Sequence, residues 1–199
     1  MDEPAGPTDA DLVAQARAGD RDAFGELYTR HEGSIYRFAV HMTGSATLAE
    51  DIVQEVFVAF MGSLARFDVQ SSLRAYLYGI ARHLTLKRLQ RERRLVWLDP
   101  AVDSAQHAVE ARFAERLERR DDLRLLRRAI VALPPRYREV LVLCDLHKLS
   151  YDVAAASIGC PVGTVRSRLH RAREALATKV QRLMNAPTEL SRSSEGLVI

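Results

Sequence analysis

Cationic and hydrogen-bonding side chains are concentrated between residues 162 and 173, and their chemistry suits nucleic acid. They are Thr164, Arg166, Ser167, Arg168, His170, Arg171 and Arg173. A guanidinium group can donate two parallel hydrogen bonds to a guanine or a phosphate, and a hydroxyl group can bond to either. The spacing therefore predicts a DNA-reading segment. The competing interpretation is a solvated helix face, as most charged runs are.

Two carboxylates, Asp51 and Glu55, are one helical turn apart and could in principle form an acid-base pair. No nucleophile, glycine-rich phosphate loop or metal cluster accompanies them in the sequence. Two other interpretations therefore compete with a catalytic one: a plain solvated face, or an acidic docking surface for another protein. Cys144 and Cys160 form no CxxC pair and have no histidine at metal-ligand spacing, and we interpret both as core or turn residues. We expect no catalytic residue, metal or cofactor.

The cationic segment is positioned by a predicted helix-turn-helix. Ser150 is a good N-cap for a short alanine-rich helix, Gly159 and Pro161 end that helix, and a second helix begins near Val162. One apolar stripe recurs in the second helix: Val165, Leu169, Ala172, Leu176 and Val180. The side chains opposite or beside this stripe are placed best for a major groove: Arg166, Ser167, His170 and Arg171.

Capping patterns predict three helices before residue 65, which makes the front of the chain all α. Thr8 with Asp11 resembles a capping box, and Asp20 can cap a longer second helix. Thr47 with Glu50 is a full capping box that opens the third helix. The apolar side of that third helix has helical spacing: Ile52, Val53, Val56, Phe57 and Phe60.

A fourth helix, capped by Ser71 or Ser72, combines an apolar stripe with positive charge. The stripe is Leu73, Leu77, Ile80 and Leu84. Residues 66–98 carry eight Lys and Arg against two Asp and Glu, and residues 123–185 carry twelve against four, whereas residues 1–65 carry four against eleven. This pattern is typical of a protein that contacts a polyanion at two separate places and another partner through its acidic front end.

The size and hydropathy of the chain fit a small soluble protein of the cytoplasm. Its 199 residues, 47% hydrophobic, allow one or two domains. The longest apolar runs are only a few residues, and the N-terminus is acidic, so neither a signal peptide nor a membrane span is predicted.

Four segments, in their order and spacing, resemble signatures of the extracytoplasmic-function sigma factors of bacterial RNA polymerase. They are DIVQEVF at 51–57, the segment from Phe67 through YLYGIARH at 76–83, LPPRYREV at 133–140, and residues 159–173. The resemblance covers about residues 9–184. It implies an all-α fold of two small helical domains joined by a flexible linker, the second domain being a helix-turn-helix.

The resemblance also implies the role of each domain. An N-terminal domain, 9–96, docks on the β′ clamp helices of core RNA polymerase and melts the minus-ten promoter element. A linker, 97–121, leads to a C-terminal domain, 122–184, that reads the minus-thirty-five element. Beyond the resemblance, residues 185–199 are expected from their Ser, Thr and Gly content to form a mobile tail. The implied partners are core polymerase, through its β′ clamp helices and β flap, promoter DNA and an anti-sigma factor that responds to a stress or envelope signal.

Site residues are carried over position by position. Polymerase binding maps onto Asp51, Gln54, Glu55 and Phe57. The loop that captures an extruded base and the helix that follows it map onto Asp68, Gln70, Ser71, Ser72, Arg82, His83, Lys87 and Arg88. For the minus-thirty-five element, helical placement rather than the resemblance selects Arg166, Ser167, His170 and Arg171, with Arg173 nearer the border of the apolar stripe. Arg136, Lys148 and Thr164 are candidates for phosphate contacts, which position the domain without reading sequence.

Three positions depart from the family pattern and bear on base preference in the minus-ten element. Tyr76 stands where Trp is usual, Leu73 where Phe is usual, and His83 where Asn is usual.

The linker has about 25 residues and can span up to about 80 Å when extended. This length exceeds the roughly 70 Å between promoter elements two helical turns apart.

Two other functions remain open on sequence alone. A stand-alone helix-turn-helix repressor or activator would bind two half-sites as a symmetric dimer. An enzyme, or a protein that regulates one, would use the face that carries Asp51 and Glu55. Neither explains why a basic helix at 72–94 accompanies a separate DNA reader.

Overall fold

A computed structural model describes the backbone of residues 6–98 and 121–185 and the side chains of residues 6–91 and 123–185. These ranges are helical and contain no strand. The N-terminal helices are α1 (Asp9–Arg17), α2 (Arg21–Thr43), α3 (Ala46–Ser63), a 3₁₀ turn (Leu64–Arg66) and α4 (Leu73–Leu98). The C-terminal helices are α5 (Asp121–Val131), α6 (Pro135–Leu141) with a π-turn (Val142–Leu146), α7 (Tyr151–Ile158) and α8 (Val162–Met184).

The two predicted domains fall on either side of the gap between these ranges, and α4 continues two residues past the predicted domain end at 96. Most of the linker and of the C-terminal tail lies outside the described residues, so those two predictions stay predictions. The all-α fold is confirmed.

Helix starts follow the predicted caps with one exception. Thr8 and Asp11 form the capping box of α1, and the Asp20 carboxylate accepts hydrogen bonds from the first amides of α2. The third helix is capped by Ser45, whose hydroxyl accepts from the Leu48 amide, so the prediction that Thr47 opens it was wrong. The reason is that α2 ends in a left-handed glycine at residue 44, and the next residue can already begin a helix.

Apolar side chains from α2, α3 and α4 fill the N-terminal core. The largest fully buried ones include Leu27, Ile35, Phe38, Met42, Ile52, Phe60, Leu77 and Tyr78. Phe38 and Tyr78 meet edge to face with ring centroids 5.5 Å apart, a favourable geometry for aromatic pairs. The predicted stripe of α4 thus supplies core and leaves its basic residues outside it.

The helix-turn-helix forms as predicted. The Ser150 hydroxyl accepts from the Val153 amide at the start of α7, and Gly159 ends α7 in the left-handed region with φ of 74°. Pro161 precedes α8, whose residues Val165, Leu169 and Ala172 are buried. Leu176 and Val180, further along the same stripe, are half-buried.

The two domains pack against each other, a contact that the sequence did not predict. Helix α4 lies against α7, and a Cβ atom built on Gly79 would lie 3.5 Å from the backbone oxygen of Ser157. The Tyr78 hydroxyl and Nδ1 of His147 are joined by a hydrogen bond of 2.8 Å. A second contact joins α2 to the other domain, because the buried Arg138 guanidinium donates to the Met42 carbonyl.

Candidate nucleic-acid and docking surfaces

One face of α8 is exposed and carries the four side chains predicted for a major groove. Arg166, Ser167, His170 and Arg171 are all exposed, while the apolar stripe behind them is buried. The Cζ atom of Arg166 lies 5.6 Å from the ring centroid of Tyr151, the first residue of α7. This cation–π contact packs the guanidinium group against the tyrosine ring and restricts the orientation of the Arg166 side chain.

Arg173 is exposed but engaged within its own domain. Its Nε and Nη2 atoms donate to the two carboxylate oxygens of Asp145 at 2.9 and 2.7 Å. This two-bond geometry raises the pKa of the Arg173 guanidinium, chiefly through hydrogen bonding to Asp145. The pair ties α8 to the π-turn before α7. Any phosphate that contacts Arg173 must therefore compete with the Asp145 carboxylate for the guanidinium group.

Two of the three predicted phosphate contacts of the C-terminal domain, Arg136 and Thr164, have different surroundings. Arg136 is exposed at the start of α6, with its Cζ atom 4.9 Å from the ring centroid of Tyr137. Thr164 is half-buried in the first turn of α8, and its carbonyl accepts from the Ser167 hydroxyl at 3.1 Å. An exposed amino-terminal turn of this kind suits a phosphate, since free amides point outward there.

The loop between the 3₁₀ turn and α4 is organised by Asp68. Its carboxylate accepts from the Gln70 amide at 3.0 Å and from the Ser71 hydroxyl at 3.2 Å. The Ser72 hydroxyl accepts from the Ala75 amide at 3.2 Å and caps α4. All four predicted base-capturing residues are exposed and close in sequence, on a loop held in one shape by its own hydrogen bonds.

An aromatic cluster borders this loop. Tyr76 is 36% exposed, and its ring centroid lies 4.9 Å from that of Phe67 and 6.2 Å from that of Phe60. Phe60 and Phe67 are buried and hold one side of the tyrosine ring. An exposed ring held in this way can stack on an unpaired base.

The basic residues of α4 have unequal access. His83 and Lys87 are exposed, whereas Arg82 and Arg88 are half-buried and ion-paired. Arg88 pairs with Glu55 and lies 3.6 Å from a carboxylate oxygen of Asp51. The predicted DNA surface of α4 and the predicted docking surface of α3 therefore meet at Arg88.

Arg82 faces the C-terminal domain. Its Nε atom donates to Glu139 at 2.7 Å, and Arg168 of α8 lies 3.5 Å from the other oxygen of the same carboxylate. The Glu139 side chain is only 2% exposed. One buried carboxylate thus contacts a cation from the basic helix of each domain, a relationship that the sequence did not predict.

The docking residues of α3 are divided between surface and core. Asp51 and Gln54 are exposed and Glu55 is half-buried, but Phe57 is 4% exposed. The Phe57 ring packs on Tyr28 and Phe24, with centroids 4.6 and 6.4 Å away. Phe57 therefore belongs to the core, and of the four predicted docking residues only the three polar ones have side chains at the surface.

Two exposed apolar side chains of α3 extend this face and were missed in the sequence. Val58 is 69% exposed and Met61 is 58% exposed. With Gln54 they follow the i, i+4, i+7 spacing of one helix face. That spacing was visible in the sequence, but apolar residues at helical spacing are ordinarily taken as core.

Two half-buried histidines, His41 and His147, lie where the domains meet. The rings of His41 and His147 have centroids 5.9 Å apart. Burial lowers the pKa of His147 to about 4, with His41, Arg37 and Arg74 adding repulsion, and burial with Arg127 and Arg37 lowers the pKa of His41. Both imidazoles are therefore neutral at pH 7.

The cysteines match their predicted structural role. Cys144 is buried, Cys160 is half-buried, and burial raises the pKa of the Cys144 thiol to about 11. Within the part of the chain that the structure describes, no three His, Cys, Asp or Glu side chains are grouped so that they could hold a metal ion. No helix in that part is long and apolar enough to cross a membrane.

Both domains match known sequence families. The sequence profile of Sigma-70 region 2 matches residues 27–95, and that of Sigma-70, region 4 matches residues 123–176. The ECF RNA polymerase sigma factor SigW of Bacillus subtilis is 31% identical over 179 residues, which cover 86% of this chain and 96% of the relative. The ECF RNA polymerase sigma-E factor of Escherichia coli K12 is 34% identical over 185 residues, which cover 89% and 96%.

Solved structures share the fold. CnrH, solved in complex with the cytosolic domain of CnrY, superposes with a TM-score of 0.64 at 28% identity over 87% of this chain and 97% of that one. The sigma factor RpoE of Bartonella quintana, solved with the anti-sigma factor NepR, shares the fold with a TM-score of 0.63 at 23% identity, over 83% and 98%. The chain belongs to the extracytoplasmic-function sigma factors of the sigma-70 family, which are transcription initiation factors.

Proposed function

We propose that the chain recruits core RNA polymerase through α3, opens and holds the minus-ten element with α4 and the loop before it, and reads the minus-thirty-five element with α8. The observation that carries this proposal is the exposed row of Arg166, Ser167, His170 and Arg171 on a helix packed as the second helix of a helix-turn-helix. Phosphate contacts would position the domain, and the row would read base edges.

The exposed Tyr76 ring beside a preformed loop supports a role in promoter melting. Extruding a base costs a few kcal/mol, and stacking on an aromatic side chain returns roughly 1–3 kcal/mol. Asp68, Gln70, Ser71 and Ser72 supply hydrogen-bonding groups close to that ring along the chain. A single strand held here would keep the duplex open.

The face of α3 supports protein docking more than catalysis. Asp51 and Glu55 both pair with Arg88, which favours a structural or docking role over acid-base chemistry. The exposed Val58 and Met61 add apolar surface next to the acidic residues, as expected at the centre of a protein interface. On this proposal the chain is not an enzyme itself, it acts in the cytoplasm with polymerase, and the catalysis of RNA synthesis belongs to its partner.

Co-purification with core polymerase tests the docking face. Val58→Arg, which leaves the Arg88 ion pairs in place, and the double variant Asp51→Arg with Glu55→Arg should both lose the polymerase at unchanged helicity. Glu26→Arg is a matched control, because Glu26 is also an exposed carboxylate paired with an arginine, Arg30, at 2.8 Å. Undiminished co-purification of both α3 variants would overturn the assignment.

Regulation by an anti-sigma factor is the second part of the proposal. Two structural relatives were solved with a second protein, named as an anti-sigma factor in the case of RpoE. By analogy, we infer that this chain is held inactive by such a protein until a stress or envelope signal arrives. Purification of the tagged chain from unstressed cells of its source should yield one stoichiometric partner that blocks polymerase binding.

A further inference from the structure

We infer that Tyr151 is a positioning residue for promoter reading: its ring orients the Arg166 guanidinium so that this group reads one base pair of the minus-thirty-five element. The inference rests on the proposed role of α8 in reading that element. It goes further by assigning part of the sequence preference to α7, the helix that precedes the recognition helix.

Tyr151 is held in place by the start of α7. The Ser150 hydroxyl accepts a hydrogen bond from the Val153 amide, and Tyr151 is the first residue of the helix that this cap begins. At its other end α7 turns through the left-handed Gly159 and packs against α8. The tyrosine is therefore carried by a packed helix rather than by a loose loop, and its ring can serve as a fixed support.

The support acts on an arginine in the amino-terminal part of the recognition helix, where residues contact base edges. Arg166 is the fifth residue of α8, and its Cζ atom lies 5.6 Å from the centroid of the Tyr151 ring. The tyrosine is 37% exposed, so the contact lies at the surface that DNA would approach. A long side chain that already favours one orientation loses less conformational entropy when it binds.

Arg173, two turns after Arg166 on the same side of α8, shows the contrast between a ring and a carboxylate as a support. Hydrogen bonding to Asp145 is the main reason that the pKa of Arg173 is raised, with a smaller electrostatic contribution from Tyr151. The carboxylate occupies the N–H donors of Arg173 at 2.9 and 2.7 Å. Among the residues that the structure describes, Arg166 has no carboxylate partner. A ring packs on the guanidinium plane and leaves the in-plane donors free for a base.

The ratio of affinities for two promoter sites tests this role. Polymerase holoenzyme formed with each variant is titrated with the site that wild type selects from a randomised promoter library, and with every single-base change of that site. Arg166→Ala locates the base pair that Arg166 reads. At that base pair, Tyr151→Leu should lower discrimination about fivefold, equivalent to about 1 kcal/mol of cation–π interaction. Because discrimination is a ratio for one variant, any loss of folded protein cancels from it.

Tyr151→Phe is the conservative variant, because it keeps the ring and removes the hydroxyl. It should keep the preference of wild type at the base pair that Arg166 reads. Uniform weakening of Tyr151→Phe on every site, with discrimination unchanged in Tyr151→Leu, would make the hydroxyl a phosphate contact and overturn the inference.

Tyr137 offers a matched control in the same domain. Its ring centroid lies 4.9 Å from the Cζ atom of Arg136, which is a candidate phosphate contact. Tyr137→Leu therefore removes a ring from an arginine that is not proposed to read sequence, and it should leave discrimination at the base pair of Arg166 unchanged. An equal loss in Tyr137→Leu and Tyr151→Leu would show a general loosening of the domain and overturn the inference.

The double variant Tyr151→Leu with Arg166→Ala shows whether the ring acts through Arg166. In the absence of the guanidinium, Tyr151→Leu should change discrimination at that base pair no further. Should Arg166→Ala relax the base pair while Tyr151→Leu leaves it intact, the inference is wrong and the proposed reading by α8 stands. If Arg166→Ala relaxes no base pair, the proposed reading by Arg166 fails, and the role of Tyr151 fails with it.

Discussion

Arg173 and Asp145 form a two-bond ion pair, at 2.9 and 2.7 Å, between the recognition helix and the π-turn that precedes α7. The two residues are 28 positions apart, so the pair fixes a tertiary angle rather than a local turn. Both side chains keep solvent access, and water screening limits what the pair contributes to stability. Its geometry sets the angle at which α8 presents Arg166 and Arg171.

A double-mutant cycle measures this pair. Arg173→Gln and Asp145→Asn should each lower the free energy of unfolding by up to about 1 kcal/mol, and the double variant should lower it little further. Urea unfolding followed by circular dichroism gives the coupling energy. Strictly additive effects would mean that the pair does not hold the helix.

Arg171 is expected to read one base pair. Arg171→Ala should weaken binding to the preferred minus-thirty-five site by about 1–3 kcal/mol and relax the preference at a single position. The comparison is a set of single-base site variants measured by fluorescence anisotropy. Arg182→Ala is the control, because Arg182 is exposed three turns further along α8 and should lie beyond the groove. An equal loss on every site variant would make Arg171 a phosphate contact instead.

Tyr76 is expected to stack on an unpaired base. Tyr76→Ala should weaken binding of single-stranded minus-ten DNA by roughly 1–3 kcal/mol, and Tyr76→Phe should leave it nearly unchanged because the aromatic face remains. Tyr76→Trp, the residue usual in the family, should bind at least as well as wild type. Binding by Tyr76→Ala as tight as by Tyr76→Phe would rule out stacking.

Acid should weaken the contact between the domains. The neutral form of the His147 imidazole is favoured when the two domains are packed together, because packing lowers the pKa of His147 from its ordinary value of 6.5 to about 4. Its contribution is therefore fully present above pH 6.5 and is lost as the pH falls from 6.5 towards 4. Protonation places a cation beside His41, Arg37 and Arg74. Small-angle X-ray scattering should therefore show that the maximum dimension of the chain increases as the pH falls from 6.5 towards 4.

His147→Asn isolates this effect from the titration of carboxylates. The Asn side chain can still bond to the Tyr78 hydroxyl but carries no titrating ring. The variant should expand less than wild type between pH 6.5 and pH 4.5. Identical pH profiles would show that another group is responsible.

Local chemistry explains how much of this architecture was predictable. Ser150, Gly159 and Pro161 specify the helix-turn-helix within a dozen residues, and the apolar stripe of α8 predicts which arginines are exposed. Caps are less certain where two candidates are adjacent. Ser45 rather than Thr47 caps α3, because the end of α2 determines where the next helix can start.

Relationships between distant residues could not be predicted in the same way. Arg82 and Glu139 are 57 positions apart, and no local pattern joins them. The same is true of Tyr78 with His147, which are 69 positions apart. Whether a basic residue faces DNA, solvent or a buried carboxylate depends on how domains pack, and a helical stripe does not contain that information.

Transcription from purified components tests whether the two basic faces serve promoter recognition. Core RNA polymerase with this chain should give a discrete transcript from its own promoter, and core polymerase alone should give none. The pair Arg166→Ala with Arg171→Ala should abolish the transcript, whereas Arg182→Ala should retain it. Absence of any promoter-specific transcript from a genomic promoter library, with wild-type chain bound to polymerase, would contradict the proposed role in promoter recognition.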